Sequence, residues 1–201
     1  VRKPSVDGHP GGEGYAMTMG RYVALLRGIN VGGKNLIKMA DLVACLEDLG
    51  FGDVATYIQS GNVVFSSNET GRAKLTSRIE EALEVTFDLE ARVVLRSRRQ
   101  VQNVIARAPD GFGSSPDEYR YDVIFLKEPL TAAVAMESVL TKPGVDQAEA
   151  GTGVLYFSRL TSKASQSRLS RIVSMPVYQG MTIRNWNTTT KLLQILEPPC
   201  P

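Results

Sequence analysis

Two rhythms of apolar and polar residues run along the chain. Residues 21–27, RYVALLR, form a compact apolar run between charges and read as a strand. Its near-continuous apolar centre predicts burial on both faces. Residues 38–50 change rhythm: Met39, Leu42, Val43, Leu46 and Leu49 recur at helical spacing, and Gly50 follows as a stop. VATYIQ and NVVFSS are β-branched and aromatic runs joined by Ser60-Gly61, which predicts a hairpin. Residues 71–87 place Leu75, Ile79, Leu83 and Phe87 on one helical stripe, with Glu80, Glu81 and Glu84 read as its exposed side. Residues 91–97, ARVVLRS, return to a strand.

This order, βαββαβ, is that of the split βαβ or ferredoxin-like unit. Residues 98–109 then read as a linking helix ended by Pro109, and a polar loop runs from Asp110 to Glu118. Beyond it the order recurs: strand 120–127, helix 130–140, strands DQAEA and VLYFSR, helix 165–174, strand 181–186 and a last helix, 187–196. The expected fold is therefore α+β: two tandem ferredoxin-like βαββαβ units plus a C-terminal helix. The expected divisions are residues 1–20 as a leader or expression scar, 21–97 as the first half, 98–120 as helix and loop, and 121–197 as the second half.

Comparing the halves exposes an irregularity. In the second, strand one passes to its helix through about KEPL. In the first, the same handover takes RGINVGGKNLI, longer than most such connections. Loops longer than topology requires are candidate binding loops. Gly28 to Asn35 spells Gly, four residues, Gly, Lys and then Asn, one residue short of a P-loop. Asn35 replaces the hydroxyl that would hold Mg²⁺, the apolar helical stripe starts late at Met39, and no strand ends in a Walker-B aspartate. Two readings stay open for this segment. One is a glycine-rich turn kept for positive φ. The other is an anion nest of backbone amides, with Arg27 and Lys34 facing a phosphate or carboxylate.

Composition narrows the chemistry. A net charge of +2 neither demands nor excludes nucleic acid. The only histidine among the 201 residues is His9, inside the expected leader, so no Ser-His-Asp or Cys-His mechanism is expected of the fold. Cys45 and Cys200 frame neither a metal spacing nor a disulfide scaffold. No apolar run reaches the length of a membrane-spanning helix. No metal or cofactor is expected, and the expected compartment is the cytoplasm.

Two further polar clusters join the long loop. IRNWNTTTK carries Arg184, Asn185, Asn187 and Lys191 at an expected helix start, with Asn187 as the N-cap and Trp186 in the core. YIQSGN sets Gln59 and Asn62 around a tight turn. The resulting expectation is one polar cleft holding Arg27, Gly28, Asn30, Gly32, Gly33 and Lys34 from the loop, Gln59 and Asn62 from the turn, and Arg184, Asn185, Asn187 and Lys191 from the C-terminal segment. Its expected occupant is a small phosphate or carboxylate, and the reading leans away from catalysis. Two alternatives remain. One is single-stranded RNA binding, given the βαββαβ order, the basic stretch 96–99 with Lys163, Arg168 and Arg171, and aromatics Tyr57, Phe65 and Tyr156. The other is a histidine-free, metal-assisted phosphoryl transfer.

Four segments together, YVALLRGINVGGKNLIKMADL, TYIQSGNVVF, VLYFSRL with SRLSR, and MTIRNWNTTTKLL, resemble the bacterial domain-of-unknown-function family DUF1697. The similarity spans residues 21–196 in family order. It implies a compact α/β protein and no established activity, substrate or site residues.

Overall fold

The computed structural model describes residues 19–30, 36–59 and 61–197. Two four-stranded antiparallel sheets, each with helices, make a mixed α+β molecule. The first half runs β1 (Gly20–Arg27), α1 (Met39–Asp48), β2 (Gly52–Tyr57), β3 (Asn62–Ser67), α2 (Arg72–Phe87) and β4 (Arg92–Ser97), with strand order β2-β3-β1-β4. After α3 (Arg98–Ala106) the second half runs β5 (Tyr119–Leu126), α4 (Ala132–Ser138), β6 (Asp146–Gly151), β7 (Val154–Leu160), a one-turn α5 (Leu169–Ile172), β8 (Met181–Asn185) and α6 (Trp186–Leu196). Its strand order, β6-β7-β5-β8, repeats the first. The two units share a plan with little residue identity because the plan needs only the two rhythms and the turns between them.

The unbroken apolar centre of β1 is explained by what lies on each side. Tyr22, Ala24 and Leu26 face a core built with Leu42 and Leu46 of α1 and Leu75, Ile79 and Leu83 of α2. Val23 and Leu25 face the opposite way, into a central core shared with Val101 and Val104 of α3, Leu192 and Leu196 of α6, and Val123 and Phe125 of β5. A third core lies beyond the second sheet, around Ile124, Leu155, Phe157 and Leu169. Each fully buried side chain of this kind contributes about 1.5–3 kcal/mol. The shared central core makes the two halves one packed body.

The helix after each fourth strand supplies that core. Ser97 ends β4 and caps α3 in a capping box: its Oγ accepts from the Gln100 amide at 3.3 Å, and Gln100 Oε1 accepts from the Ser97 amide at 3.0 Å. Asn185 ends β8 and caps α6, accepting from the Thr188 amide at 2.7 Å. The turn from strand into helix therefore needs no loop in either half. The N-cap is Asn185 rather than the expected Asn187, which lies inside the helix; Trp186 is its first helical residue. A cap needs extended backbone, and Asn185, at φ −67° and ψ 161°, is the last residue to have it.

A second correction concerns residues 165–174. No continuous helix forms there: the end of a 3-10 segment (Thr161–Gln166) and the one-turn α5 share the stretch, and a further 3-10 turn (Pro176–Gly180) follows it. Ser167 at φ −60° and ψ 144° breaks the path, and Asp146 Oδ2 accepts from the Arg168 amide at 2.9 Å. A tertiary bond to β6 thus replaces an intrahelical one. Glu80 is also not simply exposed: it accepts from the Val93 amide at 2.8 Å and pairs with Lys127 of the second half. Glu81 and Glu84 are exposed as expected.

Candidate functional site

The end of β1 meets β8 and the 3-10 turn before it, and a cleft of about 610 Å³ opens between them. Leu26, Arg27, Gly28 and Ile29 form one wall; Tyr178, Gln179, Thr182 and Arg184 form much of the other. Alternation along β8 sets this up. Met181 and Ile183 turn into the third core, so Thr182 and Arg184 turn toward the first half.

Both arginines of the cleft also hold the halves together. Arg27 Nη1 donates to the Tyr178 carbonyl at 2.6 Å, and its guanidinium lies 4.9 Å from the centroid of the Tyr178 ring. Arg184 reaches across to the first half, donating from Nε to Asn62 Oδ1 at 2.5 Å and from Nη2 to the Leu26 and Gly61 carbonyls at 2.8 and 3.3 Å. Nη1 donates to the Ile183 carbonyl at 2.8 Å. Burial pulls the Arg184 guanidinium down to about 10, against a smaller opposing effect of Tyr178. Asn62 is itself fully buried and donates from Nδ2 to the Tyr57 carbonyl at 3.0 Å. Thr182, 1 % exposed, presents a buried hydroxyl without a hydrogen-bond partner among the described residues.

The long loop is closed at its base by Asn30. Its side chain donates to the Ile37 and Gln59 carbonyls at 3.0 and 3.1 Å, while its Oδ1 accepts from the Ile37 amide at 2.8 Å. Asn30 itself has φ 52°, a conformation asparagine tolerates better than most residues. Gly28 has φ 86°, and a Cβ there would meet nothing within 4 Å, so its backbone rather than crowding calls for glycine. Gly61 has φ 73° and would also press a Cβ to 2.9 Å from Ile29 and Leu26. Gly32, Gly33 and Lys34 lie outside the described residues.

The residues expected in one cleft therefore divide. Arg27, Gly28 and Arg184 line it; Asn62 stands behind Arg184; Asn30 and the exposed Gln59 meet at the loop base. Asn185 is engaged as a cap, Asn187 accepts through its carbonyl from Thr190 at 3.0 Å, and Lys191 bonds Gln194 at 3.2 Å; these three do not line the cleft. Sequence reasoning missed Thr182 and Tyr178. The signal for Thr182 was its alternation with Met181 and Ile183, which places it on the same strand face as Arg184; Tyr178 lay in a stretch without periodicity.

Arg96 was also misjudged. Grouped in the sequence with the basic stretch 96–99 that RNA binding would need at the surface, it is 6 % exposed. It donates to the Leu126 and Gly153 carbonyls of the second half at 2.6 and 2.8 Å and to its own neighbour's carbonyl, Leu95, at 2.9 Å. Its place in the RVVLRS strand puts it on the inward face with Val94, and the second half supplies the carbonyls that make burial tolerable. Among the described residues no group of three or more His, Cys, Asp or Glu side chains gathers as metal ligands would, and no helix is long and apolar enough to cross a membrane.

The family model described as "Protein of unknown function (DUF1697)" matches residues 19–156. The chain belongs to the DUF1697 family. The match takes in the whole first half, the long loop, and β5 to the start of β7. A solved structure described as that of the conserved bacterial protein SP0830 from Streptococcus pneumoniae is similar over 89 % of this chain and 99 % of its own, at 29 % identity and a TM-score of 0.79. The two-sheet plan is thus shared by a DUF1697 member and a solved bacterial relative. No curated protein matches the chain.

Proposed function

We propose that this DUF1697 protein is a binding module for a small organic anion, a carboxylate or phosphate with an apolar body, taken up in the cleft between β1 and β8. The observation that carries the reading is the cleft's one-sided charge. Two guanidiniums line it and no acidic side chain does, among the described residues. The buried Thr182 hydroxyl adds a donor, and Met175 and Val173 add apolar wall. A volume of about 610 Å³ falls within the range usual for small-molecule sites, about 300–1,000 Å³. Lys34, Gly32 and Gly33 enter the proposal through their sequence, as cation and amides on the loop that leaves this wall.

We also read each half as a ferredoxin-like unit, from the β2-β3-β1-β4 order and the placing of α1 and α2 on one face. In that reading the other sheet face, where single-stranded RNA would stack, is packed under α3 and α6, and Phe65 and Tyr156 are buried. These observations favour the anion over RNA. A cleft without carboxylates also offers Mg²⁺ none of its preferred ligands.

The test is an NMR titration of the full chain with pyrophosphate and, separately, benzoate. Amide shifts are expected at Gly28, Ile29 and Thr182, reduced in Arg27→Gln, Thr182→Val and Lys34→Gln. Absence of shifts with both probes, or shifts untouched by all three substitutions, refutes the proposal.

A further inference from the structure

A second cavity, of about 210 Å³, lies at the other junction of the halves. The first half, α3 and its C-capping residue Arg107 contribute Arg72, Arg96, Gln100, Asn103 and Arg107 itself; the second half contributes Glu128, Thr152, Gly153 and Tyr156. Three guanidiniums face one carboxylate. Arg72 takes that carboxylate, Glu128, at 3.0 Å, and the Glu128 side chain is 75 % exposed, so the pair sits at the mouth. Arg96 forms the buried wall. Neither it nor the exposed Arg107 joins any ion pair formed among the described residues.

The state of Arg96 is unusual. A buried cation ordinarily has a carboxylate beside it. Here backbone carbonyls of Leu126, Gly153 and Leu95 solvate it; burial disfavours its charge, the neighbouring charge of Arg72 opposes it, and Glu128 favours it without pairing directly. Gly153 is part of the arrangement: its φ is 70°, and a Cβ on it would stand 3.3 Å from Arg96 Nη2, so glycine lets the turn close over the guanidinium. Tyr156 is held in the wall by donating its hydroxyl to the Val104 carbonyl at 2.7 Å. The polar amides of Gln100 and Asn103 complete the lining on the α3 side.

We infer that this cavity is a second, separate binding site, for a compact oxyanion of phosphate size: inorganic phosphate or the phosphoryl end of a phosphomonoester. Size selects this class. The cavity is smaller than the usual range for drug-sized ligands, about 300–1,000 Å³. It would hold about seven waters at roughly 30 Å³ each, enough for a five-heavy-atom tetrahedral anion with a few waters beside it and too little for a bulky organic body. Charge selects it too, since a doubly charged anion would sit between Arg96 and Arg107 and compete with Glu128 for Arg72. Guanidinium forks match tetrahedral oxyanions in geometry as well as sign. Because both halves line the cavity, an occupant would bridge them.

The test is titration of the full chain with inorganic phosphate and, in a second arm, with phenyl phosphate, followed by the Arg96 Nε–Hε signal and the Asn103, Arg107 and Gly153 amides. Saturable shifts there with either probe are expected; shifts with phenyl phosphate as well identify the phosphoryl terminus, and shifts with phosphate alone identify the free ion. Arg107→Gln is expected to weaken binding about tenfold or more, the usual effect of losing a charged hydrogen-bond donor. Glu128→Gln is expected to tighten it about two- to fivefold, as an exposed competitor is removed. Arg99→Gln, on the same helix but outside the cavity, makes the same change in net charge as Arg107→Gln and is expected to leave binding unchanged. Neither probe shifting these signals, or Arg99→Gln weakening binding as much as Arg107→Gln, overturns the inference. The reporting signals differ from those of the β1–β8 cleft, so failure of either site is read independently of the other.

Discussion

Arg184→Ala provides the sharpest test of how the halves are joined. From sequence alone this side chain is an anion ligand, and its removal should leave stability nearly untouched. The structure reverses that expectation. Among the described residues Arg184 makes two short bonds to the first half, to Asn62 Oδ1 at 2.5 Å and the Leu26 carbonyl at 2.8 Å, besides a longer one to Gly61 at 3.3 Å. Hydrogen bonds from a charged donor contribute about 1.5–3 kcal/mol each, so the two short ones represent about 3–6 kcal/mol. Alanine also removes a guanidinium whose burial costs energy, as its shift to about 10 indicates. The opposing effects leave an expected net loss of about 2–4 kcal/mol, because the acceptors stay behind. For a chain of this size that lowers Tm by roughly 5–12 °C. Urea and thermal unfolding of the parent and variant measure it. Arg184→Lys should recover less than half, since an ammonium cannot reproduce the planar fork. A Tm within about 1 °C of the parent would show that Arg184 does not hold the two halves together.

Two further outcomes follow from the fold. Gly113→Ala should destabilise by about 2–5 kcal/mol, because φ is 87° and the new Cβ would overlap Trp186 Nε1 and Cδ1. Gly144→Ala, at φ 68° with nothing within 4 Å, should cost only the backbone strain of about 1 kcal/mol; Trp186, the sole tryptophan, reports both by fluorescence, and equal losses would contradict the packing at Gly113. Asp122 gives a pH signature. Burial raises its carboxyl above the ordinary 3.8, against the opposing charges of Arg159 and Arg120. The folded state thus holds this proton more tightly than the unfolded state. Its contribution is fully present below pH 3.8 and is lost as pH rises through the folded value. Asp122→Asn should therefore gain on the parent between those limits, compared by urea midpoints; a constant difference across that range contradicts the assignment.

The amino-acid order by itself determined the succession of strands and helices in the first half, the recurrence of that succession, and the burial of β1 on both faces. Those features are written in spacing over a few residues, and spacing dictates backbone and side-chain direction locally. The helix expected at 165–174 failed because Asp146, some twenty residues earlier in the chain, captures the Arg168 amide. Asn185 rather than Asn187 became the cap because β8 ends one residue sooner than its apolar pattern. The polar clusters around Gly28, Asn62 and Arg184 were visible as clusters, but only the packing of the halves decided their roles. Arg184 and Asn62 are 122 positions apart, and no local rhythm tells an arginine bound for solvent from one that clasps a second sheet. Arg96 makes the same point. Its strand position set it only on the face opposite Val93 and Leu95, and the carbonyls that make a buried charge there tolerable arrive from residues 126 and 153 once the central core has formed.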